Sequence, residues 1–217
     1  MDSVIAMIAI AVLPVTLAIT LHEAAHGYAA RHFGDPTAWQ QGRITANPLK
    51  HIDPVGTILV PLVILLLSTG GLLFGWAKPV PVDFTRLRHP KADMLWVAAA
   101  GPAANLVMLL FWAALMKLTW VMPLNVFSLP MVRMAEIGMG INLALMVLNL
   151  FPLPPLDGGR IAVSLLPPEM AWRFAQLERF GFPILLLLLF TGVLGTLLRP
   201  VMQLIGGMVS FLFQLPS

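Results

Sequence analysis

The sequence predicts an all-α polytopic membrane protein, with five to six transmembrane helices joined by short membrane-associated β or extended loops. Three observations carry that expectation. Of the 217 residues, 59% are hydrophobic and only 11% charged, against about 45–50% and about 25% in an ordinary soluble domain. Several apolar runs reach the roughly 20 residues that one crossing requires, and short connections separate them. The 13 Lys and Arg lie scattered in those connections, as membrane-flanking cations do, so the net charge of +3 reads as a topology signal and not as a nucleic-acid surface. The chain has no cysteine, which excludes a disulfide framework, thiolate metal ligands and a cysteine nucleophile. Any metal must be held by His and carboxylate.

Residues 3–33 read as one long helix. Its start lacks the positive n-region of a cleavable signal, so the first helix is expected to be retained. It is apolar up to Leu21 and then carries His22, Glu23, His26, Tyr28, Arg31 and His32, so polarity enters from one end. Gly34-Asp35-Pro36 stops it. Residues 37–54 read as a loop with a strand candidate at 41–46. Residues 55–74 are apolar and long enough to cross. Arg31, Arg43 and Lys50 precede them and Lys78, Arg86, Arg88 and Lys91 follow, so the positive-inside rule wants both flanks on the cytoplasmic side. A full crossing is the reading, with a re-entrant course as the alternative. Residues 75–82 are Pro-punctuated and extended, with a second strand candidate at 78–82.

The next spans are 92–121, which contains Gly101-Pro102-Ala103-Ala104-Asn105, and 131–151, which ends in Asn149-Leu150-Phe151-Pro152. The more polar stretch 167–180 suits the membrane interface. One further span follows at 182–198, then a sixth span or an interfacial helix at 201–215. The whole chain, 1–217, reads as a single domain with its core at roughly 1–166 and C-terminal helices at 167–217. No internal repeat is visible.

His22-Glu23-Ala24-Ala25-His26 matches H-E-x-x-H, whose histidines lie on one helix face and can chelate one zinc. Composition alone would produce about 0.002 such matches, so chance is a poor account of it. Glu23, beside the first histidine, is placed to act as general base on a water at the metal. Two imidazoles need a third protein ligand, and Asp157 is the best candidate. It follows a proline-broken helix end, and Gly158-Gly159 lets the chain turn tightly. Asp35 and Asp53 sit in turn sequences where capping suffices. His32, His51 and His89 read as interfacial, and Glu136 and Glu169 as span-end carboxylates. The side-chain amide of Asn149 or Asn105 could stabilise an oxyanion, while Asn142 is assigned to inter-helical hydrogen bonding. The strand candidates 41–46 and 78–82 could capture an unwound substrate by β-addition.

The three elements HEAAH, GPAAN and NLFPLPPLDGG, in that order, resemble the signatures of the site-2 protease family of intramembrane zinc metalloproteases. FGDPTA, NPLKHIDPVGT and GWAKPVPV look like its compact prokaryotic branch. The resemblance implies one zinc per chain on His22, His26 and Asp157, with Glu23 as catalytic base and Asn149 holding substrate or stabilising the oxyanion. It places Gly101 and Asn105 in a packed active-site core, to which Pro152 and Gly158 also belong. No PDZ-like insertion or CBS-like extension is seen. The expected function is hydrolysis of peptide bonds within or near transmembrane segments in a prokaryotic cell membrane, with the active site toward the cytoplasm. The expected partners are a transmembrane protein substrate and the lipid bilayer, without nucleic acid; a homo-oligomer and a regulatory membrane partner stay open. The alternative is a metal or proton transporter lined by the His/Asp cluster. Glu23 next to the first histidine and the missing repeats speak against it.

Overall fold

The computed structural model describes residues 2–60, 63, 75, 77–123 and 125–215. Its centre is three mutually packed helices, α1 (Asp2–His32), α3 (Pro90–Val121) and α4 (Ser128–Asn149), while the short α2 (Thr37–Gln40) leans on α1. A helix satisfies its own backbone polar groups, which is what an apolar stretch must do in lipid. Pro14 is accommodated inside α1, and just beyond it the Thr16 and Thr20 hydroxyls donate back to the carbonyls of Val12 and Thr16. At the start of α3, Pro90 stands in the first turn, where its missing N–H is no loss. One turn in, Asp93 accepts the N–H of His89 at 2.7 Å.

The chain continues through α5 (Asp157–Leu165), α6 (Pro168–Ala175), α7 (Glu178–Phe190) and α8 (Val193–Phe213). Leu109 and Ala113 of α3, Met146 and Val147 of α4 and Val209 of α8 form one buried apolar cluster. Among the described residues, four segments are long and apolar enough to cross a membrane: Ala9–His32 within α1, then α3, α4 and α8. The protein is a multi-pass, all-α membrane protein. The expected count of five to six is not reached within the described residues. The expected crossing at 55–74 lies for the most part outside them; what is described there is a π-helical turn at Pro54–Leu59, capped by the Asp53 carboxylate.

Two expectations are redrawn. The last two segments do not divide near Pro200, which is accommodated inside α8. The break comes at Gly192, whose φ of +75° suits glycine and few other residues. It leaves α7 with 13 residues, about 20 Å of helix and short of the roughly 30 Å hydrocarbon core. Neither strand candidate forms a strand: among the described residues there is none. Residues 41–42 turn out of α2, and residues 77–83 form no regular element: Pro79 and Pro81 carry no N–H to donate to a ladder and hold the residues before them to extended backbone.

Candidate metal centre

On α1, residues four apart share a face, and the Nε2 atoms of His22 and His26 stand 3.1 Å apart. The α4–α5 connection returns Asp157 to the same point, with its Oδ2 at 3.3 Å from His22 Nε2 and 3.4 Å from His26 Nε2. Residues 135 positions apart thus meet in one group with the geometry of a metal site.

The other ring nitrogens decide the tautomers. His26 Nδ1 lies 2.7 Å from the Val97 carbonyl, and His22 Nδ1 lies 2.7 Å from Asn105 Oδ1. The Asn105 amide cannot be reversed, because its Nδ2 donates to the carbonyl of Ala18 at 3.2 Å and to Asn142 Oδ1 at 2.9 Å. Both imidazoles therefore carry their proton on Nδ1 and turn an Nε2 lone pair to Asp157. The Asp157 Oδ2 is itself buried with no hydrogen-bond partner among the described residues. With both imidazoles neutral, three lone pairs converge there and repel one another unless a cation sits among them. A tetrahedral zinc with bonds of about 2.0–2.1 Å sets its ligand atoms about 3.3 Å apart, so the donor set and its spacing fit.

Close approach is built into the neighbours. A Cβ on Gly101 of α3 would stand 2.4 Å from His26 Nε2 and 2.6 Å from His22 Cε1, so no larger residue fits behind the imidazole pair. One on Gly158 would meet the Leu150 carbonyl oxygen at 2.3 Å, which keeps α5 tight under the end of α4. Pro152 is exposed.

A cavity of about 340 Å³ opens on the group, lined by His22, Glu23, His26, Asn149, Asp157 and Arg160 and walled by residues 79–82. Glu23 Oε2 accepts the main-chain N–H of Val80 at 2.7 Å. Asn149 lines that cavity and donates one amide hydrogen to Leu145 at 3.0 Å, the second having no partner among the described residues. Asn105 is elsewhere: it is fully buried, and its oxygen and both hydrogens are already engaged, so it has none for a substrate.

Sequence reasoning missed three participants. The carbonyl of Val97 and the N–H of Val80 are backbone groups, which leave no signature in side-chain identity. Arg160 was visible three positions after Asp157, on the same face of α5. Its guanidinium lies over the Phe84 ring at 5.1 Å. Asp35 and Asp53 do the turn work expected of them, accepting the N–H of Thr37 and of Val55 and Gly56.

Replacing Asn105 by Leu is expected to free the His22 ring and to leave Asn142 Oδ1 buried and unbonded. Zinc affinity should fall about 10- to 100-fold, as for other outer partners of ligating histidines, in a competitive titration.

The chain is 39% identical to YwhC of Bacillus subtilis over 88% of its own length and 85% of that protein's. It is 32% identical to Rip2 of Mycolicibacterium smegmatis over 82% of its length and 66% of that protein's, and 29% identical to Rip2 of Mycobacterium tuberculosis over 79% and 63%. All three carry a zinc-metalloprotease name. The chain thus spans about two thirds of the Rip2 proteins. No family profile matches it, and no solved structure matches it significantly. With a His-His-Asp group suited to zinc and a relative alike over most of both chains, the protein belongs to the site-2 protease family of zinc metalloproteases.

Proposed function

We propose that this metalloprotease cleaves peptide bonds within or next to the transmembrane segments of membrane proteins, with His22, His26 and Asp157 as ligands and Glu23 as catalytic base. The observation that carries the proposal is depth. His22 lies ten residues, about 15 Å of helix, from the end of a segment apolar enough to cross the bilayer. A protease of aqueous substrates has no reason to bury its ligands there. Residues 1–166 supply every group of the site, and Arg31, Arg43, Lys50, Lys78, Arg86, Arg88 and Lys91 cluster in sequence around the polar end of α1 and the start of α3. That bias supports a site opening toward the cytoplasmic side of a prokaryotic cell membrane.

Zinc bound there supplies Lewis acidity and lowers the pKa of water at the site. The protein does the rest. Glu23 takes the proton of the attacking water and returns it to the leaving amine. The unengaged amide hydrogen of Asn149 and the guanidinium of Arg160 line the cavity and are the donors available to the developing oxyanion. Asn105 acts one step back, by holding the His22 ring.

The test is cleavage of a single-span substrate co-reconstituted with the protein in liposomes, with fragment ends mapped by mass spectrometry. Termini within or adjoining the apolar stretch are expected, turnover should stop on chelation, and added zinc should restore it. Cuts confined to distant aqueous loops, or turnover that survives chelation, would refute the proposal.

A further inference from the structure

We propose that the main-chain N–H of Val80 is the donor that orients the catalytic base, and that Arg43 holds the extended strap carrying it. The inference rests on the protease reading above. Within residues 79–81, Pro79 and Pro81 have no N–H. Val80 therefore carries the one donor of the three, and it is directed at Glu23 Oε2 at 2.7 Å. A carboxylate fixed through one oxygen has its second oxygen committed to one direction, toward the water it must deprotonate.

The strap is anchored on the residues just before that bond. Lys78 donates its N–H to the His51 carbonyl at 2.8 Å. The buried Arg43 donates through Nη2 to the carbonyls of Lys78 at 3.0 Å and Pro79 at 3.2 Å. Gly27 of α1 leaves the space that lets the strap approach: a Cβ there would stand 3.2 Å from Val80 Cγ1 and 2.8 Å from Ile44 Cγ1. Arg43, Lys78 and Val80 belong to segments that the sequence separates from the H-E-x-x-H helix, and each link between them is a hydrogen bond. Val80 and Arg43 are positioning residues: they act on the reaction through Glu23.

The chain itself offers a way to remove the donor. Val80 precedes Pro81 and is already confined to extended backbone, the region a proline adopts. Val80→Pro and Val80→Ala both lose the isopropyl group; the proline also loses the N–H and sets its ring Cδ where the hydrogen stood, so Glu23 loses its donor and is pushed from its seat together. In the full-length, zinc-loaded protein cleaving a single-span substrate, kcat of Val80→Pro is expected about 10- to 100-fold below that of Val80→Ala. KM should agree between the two within about twofold, and both should hold one zinc per chain. Arg43→Gln should lower kcat in the same way, and Arg43→Lys, which can still reach one carbonyl, should recover part of it.

Equal kcat in the two Val80 variants would overturn the proposal. So would a difference confined to KM, which would make the N–H a contact to substrate. If Val80→Pro loses zinc, Arg43→Gln decides: reduced kcat with zinc retained supports the positioning role, and wild-type kcat overturns it. Failure of the protease reading shows separately, as wild-type turnover that Glu23→Gln does not remove.

Discussion

Glu23→Gln is expected to reduce kcat for a transmembrane substrate by about 10²- to 10⁴-fold, the range over which a positioned general base contributes, while zinc stays bound at the wild-type stoichiometry. The substitution is unusually conservative in place. The carboxylate now accepts the Val80 N–H through Oε2, and the amide oxygen of Gln can accept the same bond with the side chain in the same rotamer. The NH₂ group then faces the reacting water. It can donate to that water but cannot remove a proton from it, so geometry is kept and basicity is lost. Because Glu23 is no part of the His22–His26–Asp157 group, metal analysis should not distinguish the variant from wild type. Full residual turnover would remove Glu23 from the mechanism.

Asp157→Ala should lose the metal. Its carboxylate is the only anionic member of the group and approaches both imidazoles to within 3.4 Å. Without it, two neutral nitrogens remain to hold a dication in an apolar bundle. The affinity loss should exceed about 100-fold, the upper range for partners one shell further out. Thermal unfolding gives a second reading. A ligand at 100 times its dissociation constant stabilises the folded state by about 2.7 kcal/mol, so added zinc should raise the wild-type midpoint and leave that of Asp157→Ala unmoved. Unchanged zinc stoichiometry would mean that a different residue completes the site.

Much of the site could be read from side-chain identity. H-E-x-x-H states its own geometry, since helical spacing puts two imidazoles on one face. Asp157 could be named because a broken helix end followed by two glycines is where a carboxylate can turn inward. The bounds of α1, α3 and α4 followed from apolar length and from Pro and Gly at their ends. Other features had no such signal. The partner that orients the His26 ring and the donor to Glu23 are peptide groups, and such groups are present in almost every residue. For Asn105 side-chain identity allows both an oxyanion donor and a member of the packed core; only the simultaneous engagement of all its hydrogen-bonding positions by Ala18, Asn142 and His22 separates those roles. The break at Gly192 escaped because the Leu run on one side and Pro200 on the other gave stronger apparent punctuation than a single glycine.

The hydrogen-bonded series from the Gly138 carbonyl through Asn142 and Asn105 to His22 passes through α4, α3 and α1 in turn. It works as a registry pin. A slip of any of these helices by one residue, about 1.5 Å along its axis, would break the series and tilt an imidazole out of line. The helix contacts around it are apolar clusters, whose attraction is non-directional and sets register less sharply than a hydrogen bond. Alignment of the three central helices and assembly of the metal-binding geometry are thereby one and the same event, so a bundle packed out of step cannot present three inward-facing ligands.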